Sequence, residues 1–213
     1  TIALANILAL MKETGASVHF CRISSAAGVA MLRAARQQGL SLTCDVAIHH
    51  VHLIDMDIGF FDSNCHLIPP LRSFEDREAL RAGLLDGTID AICSDHAPID
   101  DDAKLVPFAQ AEPGATGLEL LLPLTLKWAR EARLPLIEAL GRITNRPARI
   151  LGIEAGRLTP GERADLCVFD PEQDWVVTAQ TLNSLGKNTP FIGAELCGQV
   201  KFTFIAGHLV YRG

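Results

Sequence analysis

The chain has little of several features that mark particular classes of protein. Its six cysteines include no Cys-x-x-Cys pair, so the spacing typical of a zinc knuckle is missing. It has no cluster of lysine or arginine and a formal net charge of -6, which argues against a nucleic-acid partner. Charges interrupt its apolar stretches before the roughly 20 residues that cross a bilayer, and no signal-peptide pattern is visible. We therefore expect a globular, soluble, cytoplasmic protein without a membrane partner.

The cysteines are predicted to be free thiols. Three of them lie inside apolar runs, where a thiol behaves as a small hydrophobic group: Cys21, Cys93 and Cys167. We expect buried free thiols, with disulfides or a zinc knuckle as the alternative.

What the chain does have is a repeated strand-then-helix order. Short apolar runs at Val18–Ile23, Leu42–Ile48 and Ile89–Cys93 are typical of buried strands. Strands that alternate with helices imply a parallel sheet with its functional groups at the carboxyl ends of the strands. The predicted helices are Ile2–Lys12, Ala27–Gln38, Glu75–Leu85, Leu118–Arg130 and Leu136–Ile143.

The pattern changes in the last third of the chain. Gly156–Asp170 reads as a turn followed by a strand, and Gly198–Tyr211 contains two short alternating strands around Ala206-Gly207. A small β-layer is therefore expected after the helical part. Because three parallel strands do not close a barrel, we infer that the N-terminal half of a larger protein is not represented here.

One motif carries chemistry on its own terms, Ser94-Asp95-His96-Ala97-Pro98. An aspartate at the end of an apolar run, followed by histidine and a rigid Ala-Pro, would present a carboxylate at a strand end. Such a carboxylate can bind a metal or move a proton.

With this motif, several others resemble those of the type I dihydroorotases of the amidohydrolase superfamily, over essentially the whole chain. They are Val18–Ser25, His49-His50, Pro69–Ser73, Asp86–Asp90, Gly117–Glu119, Asn145–Ala148, Gly161–Asp165 and Lys187–Phe191. The resemblance implies an α/β fold in which residues 1–153 form the C-terminal portion of a (β/α)8 TIM-type barrel and residues 154–213 a segment of a small β-domain. In active members, it implies reversible cyclisation of carbamoyl-aspartate to dihydroorotate at a zinc site.

Three positions depart from the family pattern. Arg22 stands where the resemblance implies a metal-binding histidine, and a guanidinium stays protonated and has no lone pair to donate. Ile68 replaces an asparagine that bonds the pyrimidine ring, and Ile99 replaces a histidine that pairs with the substrate carboxylate. An aliphatic side chain offers neither a donor nor an acceptor.

The remaining site positions keep the family pattern. Asp95 matches the carboxylate that binds metal and shuttles a proton, here as a vestige of that role, and it would be the ligand if any metal binds. Substrate binding is assigned to His96 and Gly114 by the same resemblance. From the residues alone, we expect His96 to hydrogen-bond locally.

Three further segments have structural interpretations. His19 is predicted to be structural. The pair His49-His50 matches a family segment near the site without being required ligands, and we expect it to be solvated or hydrogen-bonded. The acidic run Asp100-Asp101-Asp102 is predicted to be a solvated, flexible loop.

Three functions follow. The first is a catalytically impaired dihydroorotase-like protein of pyrimidine biosynthesis, with no cofactor in this chain, that assembles with the aspartate transcarbamoylase catalytic subunit as an oligomer. The second is an active zinc-dependent dihydroorotase that binds its metal through Asp95. The third is a metal-free module in which Arg22 and His96 hold an acidic metabolite.

A physical prediction separates these functions. A carboxylate that loses its metal needs another cation nearby. We therefore predict that Arg22 points toward Asp95 and occupies part of the former metal volume.

Overall fold

A three-stranded parallel sheet organises the first part of the chain. A computed structural model describes residues 1–213, and its strands β1 (Val18–Phe20), β2 (Leu42–Ala47) and β3 (Ala91–Cys93) lie in that order. In register, Phe20 lies beside Cys44, and Ala47 lies beside Cys93. The predicted parallel strands are confirmed, although β1 and β3 are shorter than their apolar runs.

Eight α-helices and two short 3-10 helices, Asp55–Ile58 and Ser63–Cys65, accompany the strands. Their boundaries follow local capping: Ser25 Oγ accepts the N–H of Gly28 at the start of one helix, and Ser73 Oγ accepts the N–H of Asp76 at the start of another. No helix is both long enough and apolar enough to span a membrane. The helices are α1 (Ile2–Thr14), α2 (Ala26–Gln37), α3 (Ile48–His52), α4 (Phe74–Asp86), α5 (Asp101–Lys104), α6 (Leu121–Ala132), α7 (Leu136–Gly141) and α8 (Asn145–Leu151).

Two of these helices correct the sequence analysis. The predicted strand Leu42–Ile48 ends at Ala47, and Ile48 begins the short helix α3, which buries His49 and His50. The acidic run at Asp100–Asp102 caps and begins α5 rather than forming a loop without regular structure. Carboxylates in the first turn of a helix interact favourably with its dipole, which explains why an acidic run is compatible with this helix.

The parallel sheet is covered by helices that approach closely. In β2 every side chain except that of Thr43 is buried, as expected for a strand with both faces covered. Helices α2 and α4 pack against each other. At Gly83 of α4 a Cβ atom would lie 3.1 Å from Val29 Cγ1 of α2, so glycine permits this close approach.

A three-stranded antiparallel sheet forms the end of the chain. Strands β4 (Leu166–Val176), β5 (Glu195–Ile205) and β6 (His208–Arg212) lie in sequence order. The turn between β5 and β6 has positive φ at both Ala206 and Gly207, the geometry that matches the twist of a two-residue hairpin. The predicted β-layer is therefore confirmed.

The chain divides into two compact units. The first comprises residues 1–118 with 185–190, and it holds the parallel sheet; the second comprises 119–184 with 191–213, and it holds α6 to α8 and the antiparallel sheet. The predicted division after residue 153 concerns a barrel and a β-domain of a longer chain, and it stays a prediction.

Candidate functional site

The carboxyl ends of the parallel strands bring two predicted site residues together. Arg22 follows β1 and Asp95 follows β3, with β2 between the two strands. Carboxyl ends of parallel strands meet at one edge of a sheet, so long side chains can reach across the intervening strand. Arg22 Nη1 donates to Asp95 Oδ1 at 3.2 Å. The contact predicted from the sequence is therefore confirmed, whereas the role of either residue in binding stays a prediction.

The position of Arg22 is fixed by two further hydrogen bonds. Its Nη1 also donates to the carbonyl oxygen of Ile68 at 3.1 Å, and its backbone N–H donates to Asp45 Oδ1 at 2.7 Å. The side chains of Arg22 and Asp95 are 44% and 21% exposed, so solvent partly screens their attraction. These bonds orient the guanidinium toward the carboxylate even though it is open to solvent.

Asp45 is the site residue that the sequence analysis missed. Its Oδ2 lies 2.9 Å from His19 Nε2, and its Oδ1 accepts a 3.4 Å hydrogen bond from the Cys93 thiol. His19 Nδ1 also lies 2.7 Å from Thr43 Oγ1, in agreement with the structural role predicted for this histidine. The only signal in the sequence was a carboxylate inside the otherwise apolar run of β2.

Two of the three histidines of α3, His49 and His50, are buried. Of the two expectations for this pair, solvated or hydrogen-bonded, the hydrogen-bonded one applies to His50. His50 Nε2 lies 3.1 Å from the carbonyl oxygen of Pro70. Burial lowers the pKa of His50, and the Asp95 carboxylate opposes part of that shift. Burial, together with His50, lowers the pKa of His49 to about 3. Both imidazoles are therefore neutral at pH 7.

The imidazole of His96 is held by two backbone N–H groups more than 20 residues later in the sequence. Its Nδ1 accepts the N–H groups of Gly117 at 3.2 Å and Leu118 at 3.3 Å, which leaves the proton of a neutral ring on Nε2. A hydrogen bond was predicted for His96, but its partners are 21 and 22 residues away rather than neighbours in sequence.

The loop after β3 is joined to the loop at Gly114 by a buried amide. Asn188 Nδ2 donates to the carbonyl oxygens of Ala97 at 3.0 Å and Gly114 at 3.1 Å, and its Oδ1 accepts the N–H of Ile99 at 3.0 Å. Gly114 has φ +141, and a Cβ atom there would lie 2.8 Å from Ala97 Cβ. The sequence placed Asn188 in a family-like segment but gave no sign of this bridging role.

The two isoleucines at the departing positions offer no polar atom. The side chain of Ile68 is exposed, and that of Ile99 is partly buried. Both residues enter the hydrogen-bond network only through their backbones, as the acceptor for Arg22 and the donor to Asn188. Their side chains supply neither a donor nor an acceptor to a polar ligand.

The residues at Asp95 do not fit a divalent metal ion. The carboxylate offers oxygen ligands, but the guanidinium of Arg22 lies against one of those oxygens and has no lone pair. An ion at this place would have to displace a fixed positive charge, which is unfavourable at close range. No chemical step through a metal at Asp95 follows from these residues.

The fold and this strand-end carboxylate define a class of protein, and a family comparison identifies it. Residues 3–210 match the model of the amidohydrolase family, so the chain belongs to that family. The L-hydantoinase (dihydropyrimidinase) from Arthrobacter aurescens is a structural match, with a TM-score of 0.90, 29% identity, 99% of this chain covered and 48% of that one. The α/β amidohydrolase fold predicted by the resemblance is thereby confirmed, while closure into a barrel stays a proposal.

Two curated relatives show which members are similar. A dihydroorotase-like protein of Pseudomonas aeruginosa is 42% identical over 213 residues, which is all of this chain and 50% of that protein. A dihydroorotase of Geobacter sp. (strain M21) is 42% identical over 211 residues, covering 99% of this chain and 50% of that one. The chain spans about half the length of these relatives.

Proposed function

We propose that the chain is part of a dihydroorotase-like protein of de novo pyrimidine biosynthesis with impaired catalysis. It contributes to a (β/α)8 barrel in a cytoplasmic oligomer, as a structural partner of the aspartate transcarbamoylase catalytic subunit. The relatives named dihydroorotase-like protein and dihydroorotase support the substrate class. Impaired catalysis rests on residues of this chain, and the partner rests on the family resemblance.

The observation that carries the proposal is the guanidinium of Arg22 on the carboxylate of Asp95. Cyclising or hydrolysing an amide at neutral pH needs an activated carbonyl or water and a carboxylate free to exchange a proton. Here that carboxylate accepts a hydrogen bond from a permanent cation. Ile68 and Ile99 add no polar side-chain contact for a pyrimidine or its carboxylate. The ion pair neutralises the acid without the chemistry that a metal would supply.

An active zinc-dependent dihydroorotase is the second candidate. One observation favours it: Asp95 is retained, in a chain 42% identical to a protein named dihydroorotase. In that case the metal would have to be held by Asp95 and by groups outside this chain, with Arg22 turned away. The third candidate, a metal-free module that binds an acidic metabolite through Arg22 and His96, is less favoured because Asp95 already engages Arg22.

Turnover by the full-length protein tests the proposal. Purified protein with added Zn²⁺ is assayed for interconversion of carbamoyl-aspartate and dihydroorotate beside an active dihydroorotase. We expect turnover at least about 10³-fold below that of the active enzyme, because a metal ligand and two substrate contacts are replaced. The Asp95→Asn variant should then leave the residual rate unchanged.

A matched variant separates loss of the Asp95 carboxylate from loss of negative charge elsewhere in the chain. Asp86 forms an exposed ion pair with Arg33, so Asp86→Asn removes one carboxylate charge away from the site. Zinc-dependent turnover at the level of the active enzyme that is lost in Asp95→Asn but kept in Asp86→Asn would establish the active candidate instead.

A further inference from the structure

A second cluster of ligand atoms lies beside the Arg22–Asp95 pair. His19, Cys21 and Asp45 each present one atom that can bind a metal, and these three atoms lie within 4.8 Å of one another. None of these three side chains belongs to the Arg22–Asp95 pair. Nitrogen, sulfur and carboxylate oxygen together form a donor set of the kind that zinc and related borderline ions prefer.

Strand geometry explains why these residues converge. His19 and Cys21 are two positions apart, so they point to the same face of β1 and its extension. Asp45 lies on the neighbouring parallel strand, one register step beyond the pair formed by Phe20 and Cys44. The N–H of Ile23 donates to the carbonyl oxygen of Asp45 at 2.9 Å, which holds the extension of β1 beside β2.

The two non-sulfur donors are already oriented by other groups. Thr43 Oγ1 lies 2.7 Å from Nδ1 of His19 and can hold the tautomer whose Nε2 lone pair faces Asp45. The N–H of Arg22 occupies Oδ1 of Asp45 and leaves Oδ2 toward the histidine. Metal-binding histidines and carboxylates in proteins characteristically have such outer hydrogen bonds.

We propose that His19 Nε2, Cys21 Sγ and a carboxylate oxygen of Asp45 bind a divalent cation of the zinc class, with Cys93 Sγ as the fourth donor. Cys93 is placed for this role because its sulfur lies 3.4 Å from Asp45 Oδ1. On binding, the ion displaces the proton between His19 Nε2 and Asp45, and this proton moves to Nδ1, which faces Thr43 Oγ1. The thiol protons are released to solvent.

The ligand atoms of His19, Cys21 and Asp45 are spaced nearly as a tetrahedral ion requires, whereas Cys93 Sγ lies outside this group and would move toward it. Zinc bonds of about 2.0–2.3 Å place neighbouring ligand atoms about 3.3–3.8 Å apart. The 2.9 Å separation of His19 Nε2 and Asp45 Oδ2 would open by about half an ångström, and the sulfur of Cys21 would move inward by at most about 1.5 Å. Cys21 is exposed, so an ion can enter from solvent in this structure.

Cobalt binding by the full-length protein tests the site. Chelator-treated protein is titrated with Co²⁺, and thiolate-to-cobalt charge-transfer absorption is recorded. We expect saturation at one equivalent and displacement by Zn²⁺. Cys21→Ser should remove at least half of the absorption, and His19→Gln should weaken Co²⁺ binding about tenfold or more. Thr43→Val, which only releases the imidazole ring, should weaken binding by a smaller factor.

Two controls locate the ion. Cys167→Ser removes an exposed thiol from β4 and should leave the absorption intact. Asp95→Asn should also leave it intact, so loss of this site is distinguishable from any outcome at the proposed dihydroorotase-like site. Absence of the charge-transfer band, or a band of full strength in a correctly folded Cys21→Ser variant, would overturn the proposal.

Discussion

At the scale of single residues, the Arg22–Asp95 pair combines an ionic contact with a strained backbone. Both residues have left-handed backbone angles, with φ +55 for Arg22 and φ +45 for Asp95. Aspartate tolerates this region comparatively well, whereas a long side chain such as arginine seldom adopts it. The hydrogen bond from the N–H of Arg22 to Asp45 helps to hold this conformation. A backbone hydrogen bond and the ionic attraction therefore both maintain the contact between Arg22 and Asp95.

A double-mutant cycle on Arg22→Met and Asp95→Asn measures the strength of that contact. We expect a coupling free energy of about 0.5–1 kcal/mol from urea unfolding, because solvent partly screens the pair. The coupling should decrease at high salt. The more exposed pair Arg163–Asp165 serves as the control and should show coupling near zero. Equal coupling in both pairs would contradict a special role for Arg22.

The buried His49 predicts how stability depends on pH. The unfolded chain binds a proton at this histidine below about pH 6.5, whereas the folded protein resists it down to about pH 3. The free energy of unfolding should therefore fall as pH decreases through this window, by up to about 1.4 kcal/mol per pH unit from this group. Urea unfolding between pH 7 and pH 4 checks the slope for wild type and His49→Gln.

The comparison depends on the slope rather than on absolute stability, since the variant also changes packing. His49→Gln should have a shallower acid slope than wild type. The matched control replaces an exposed histidine, His208 of β6, with glutamine. An identical slope in wild type and His49→Gln would show that His49 is protonated without cost.

At the scale of elements, the site depends on how loops are connected rather than on the strands alone. Segment 185–190 packs with the parallel-sheet unit, although it is far from that unit in sequence. Within it, Asn188 is 4% exposed and bonds both the loop after β3 and the loop at Gly114. The positions predicted to bind substrate therefore share one buried polar anchor.

Removing that anchor should destabilise the protein. Asn188→Ala leaves two carbonyl groups and one N–H without their partner, and we expect a loss of about 3 kcal/mol in urea unfolding. Asn188→Asp keeps the acceptor for Ile99 but loses both donated bonds, so it should not restore stability. The exposed Asn183, replaced by alanine as a control, should cost about 1 kcal/mol or less. Equal effects at both positions would refute the anchor.

Gly114 is predicted to resist substitution for two separable reasons. Its positive φ strains any other residue, and a Cβ atom would lie 2.8 Å from that of Ala97. Gly39 has φ +82, near the left-handed helical region, and open space around a Cβ, so Gly39→Ala measures the cost of a milder positive φ without a clash, about 1 kcal/mol. Gly114→Ala should cost at least about 2 kcal/mol more, measured by thermal unfolding. Similar losses would mean that the loop relaxes without cost.

The sequence predicted the elements better than the contacts between them. Apolar runs and capping residues are local, so the strands and most helices were located within a few residues. The helix α8 was missed because Pro147 interrupts its pattern. Burial of Cys21 and Cys167 was predicted wrongly, since β1 ends before Cys21 and β4 leaves Cys167 exposed. No disulfide joins any two of the six cysteines.

The candidate site, too, was predicted only where the contacts follow from the order of the strands. Arg22 and Asp95 could be paired from the sequence because both follow strands two places apart in one sheet. Asp45 and Asn188 could not, because one is hidden in an apolar strand and the other acts on loops roughly 70 to 90 residues away. Local patterns do not encode such partners.

At the scale of the whole molecule, half of each curated relative lies beyond the part that this chain matches. The proposed activity and partners therefore belong to the complete protein. Assembly with aspartate transcarbamoylase would require surfaces, not an active carboxylate. Loss of catalysis and retention of a partner are for this reason compatible.

Size-exclusion chromatography of the full-length protein with the aspartate transcarbamoylase catalytic subunit tests the partner. We expect stoichiometric co-elution, equal for wild type and Asp95→Asn, because the carboxylate contributes to chemistry rather than to the interface. Catalytic subunit alone is the control for self-association. Separate elution across a range of concentrations would contradict the proposed partner.

Because the thiols differ in burial, their reactivity reports local unfolding of the parallel sheet. Cys44 is fully buried in β2, with its pKa raised to about 12 by burial, and Cys65 is 3% exposed, with its pKa raised to about 11. An alkylating reagent should modify the exposed Cys21 and Cys167 rapidly, whereas Cys44 should react only when the parallel sheet unfolds locally. Mass spectrometry of pulse-labelled protein would thus give the rate at which this sheet unfolds locally, without any added probe.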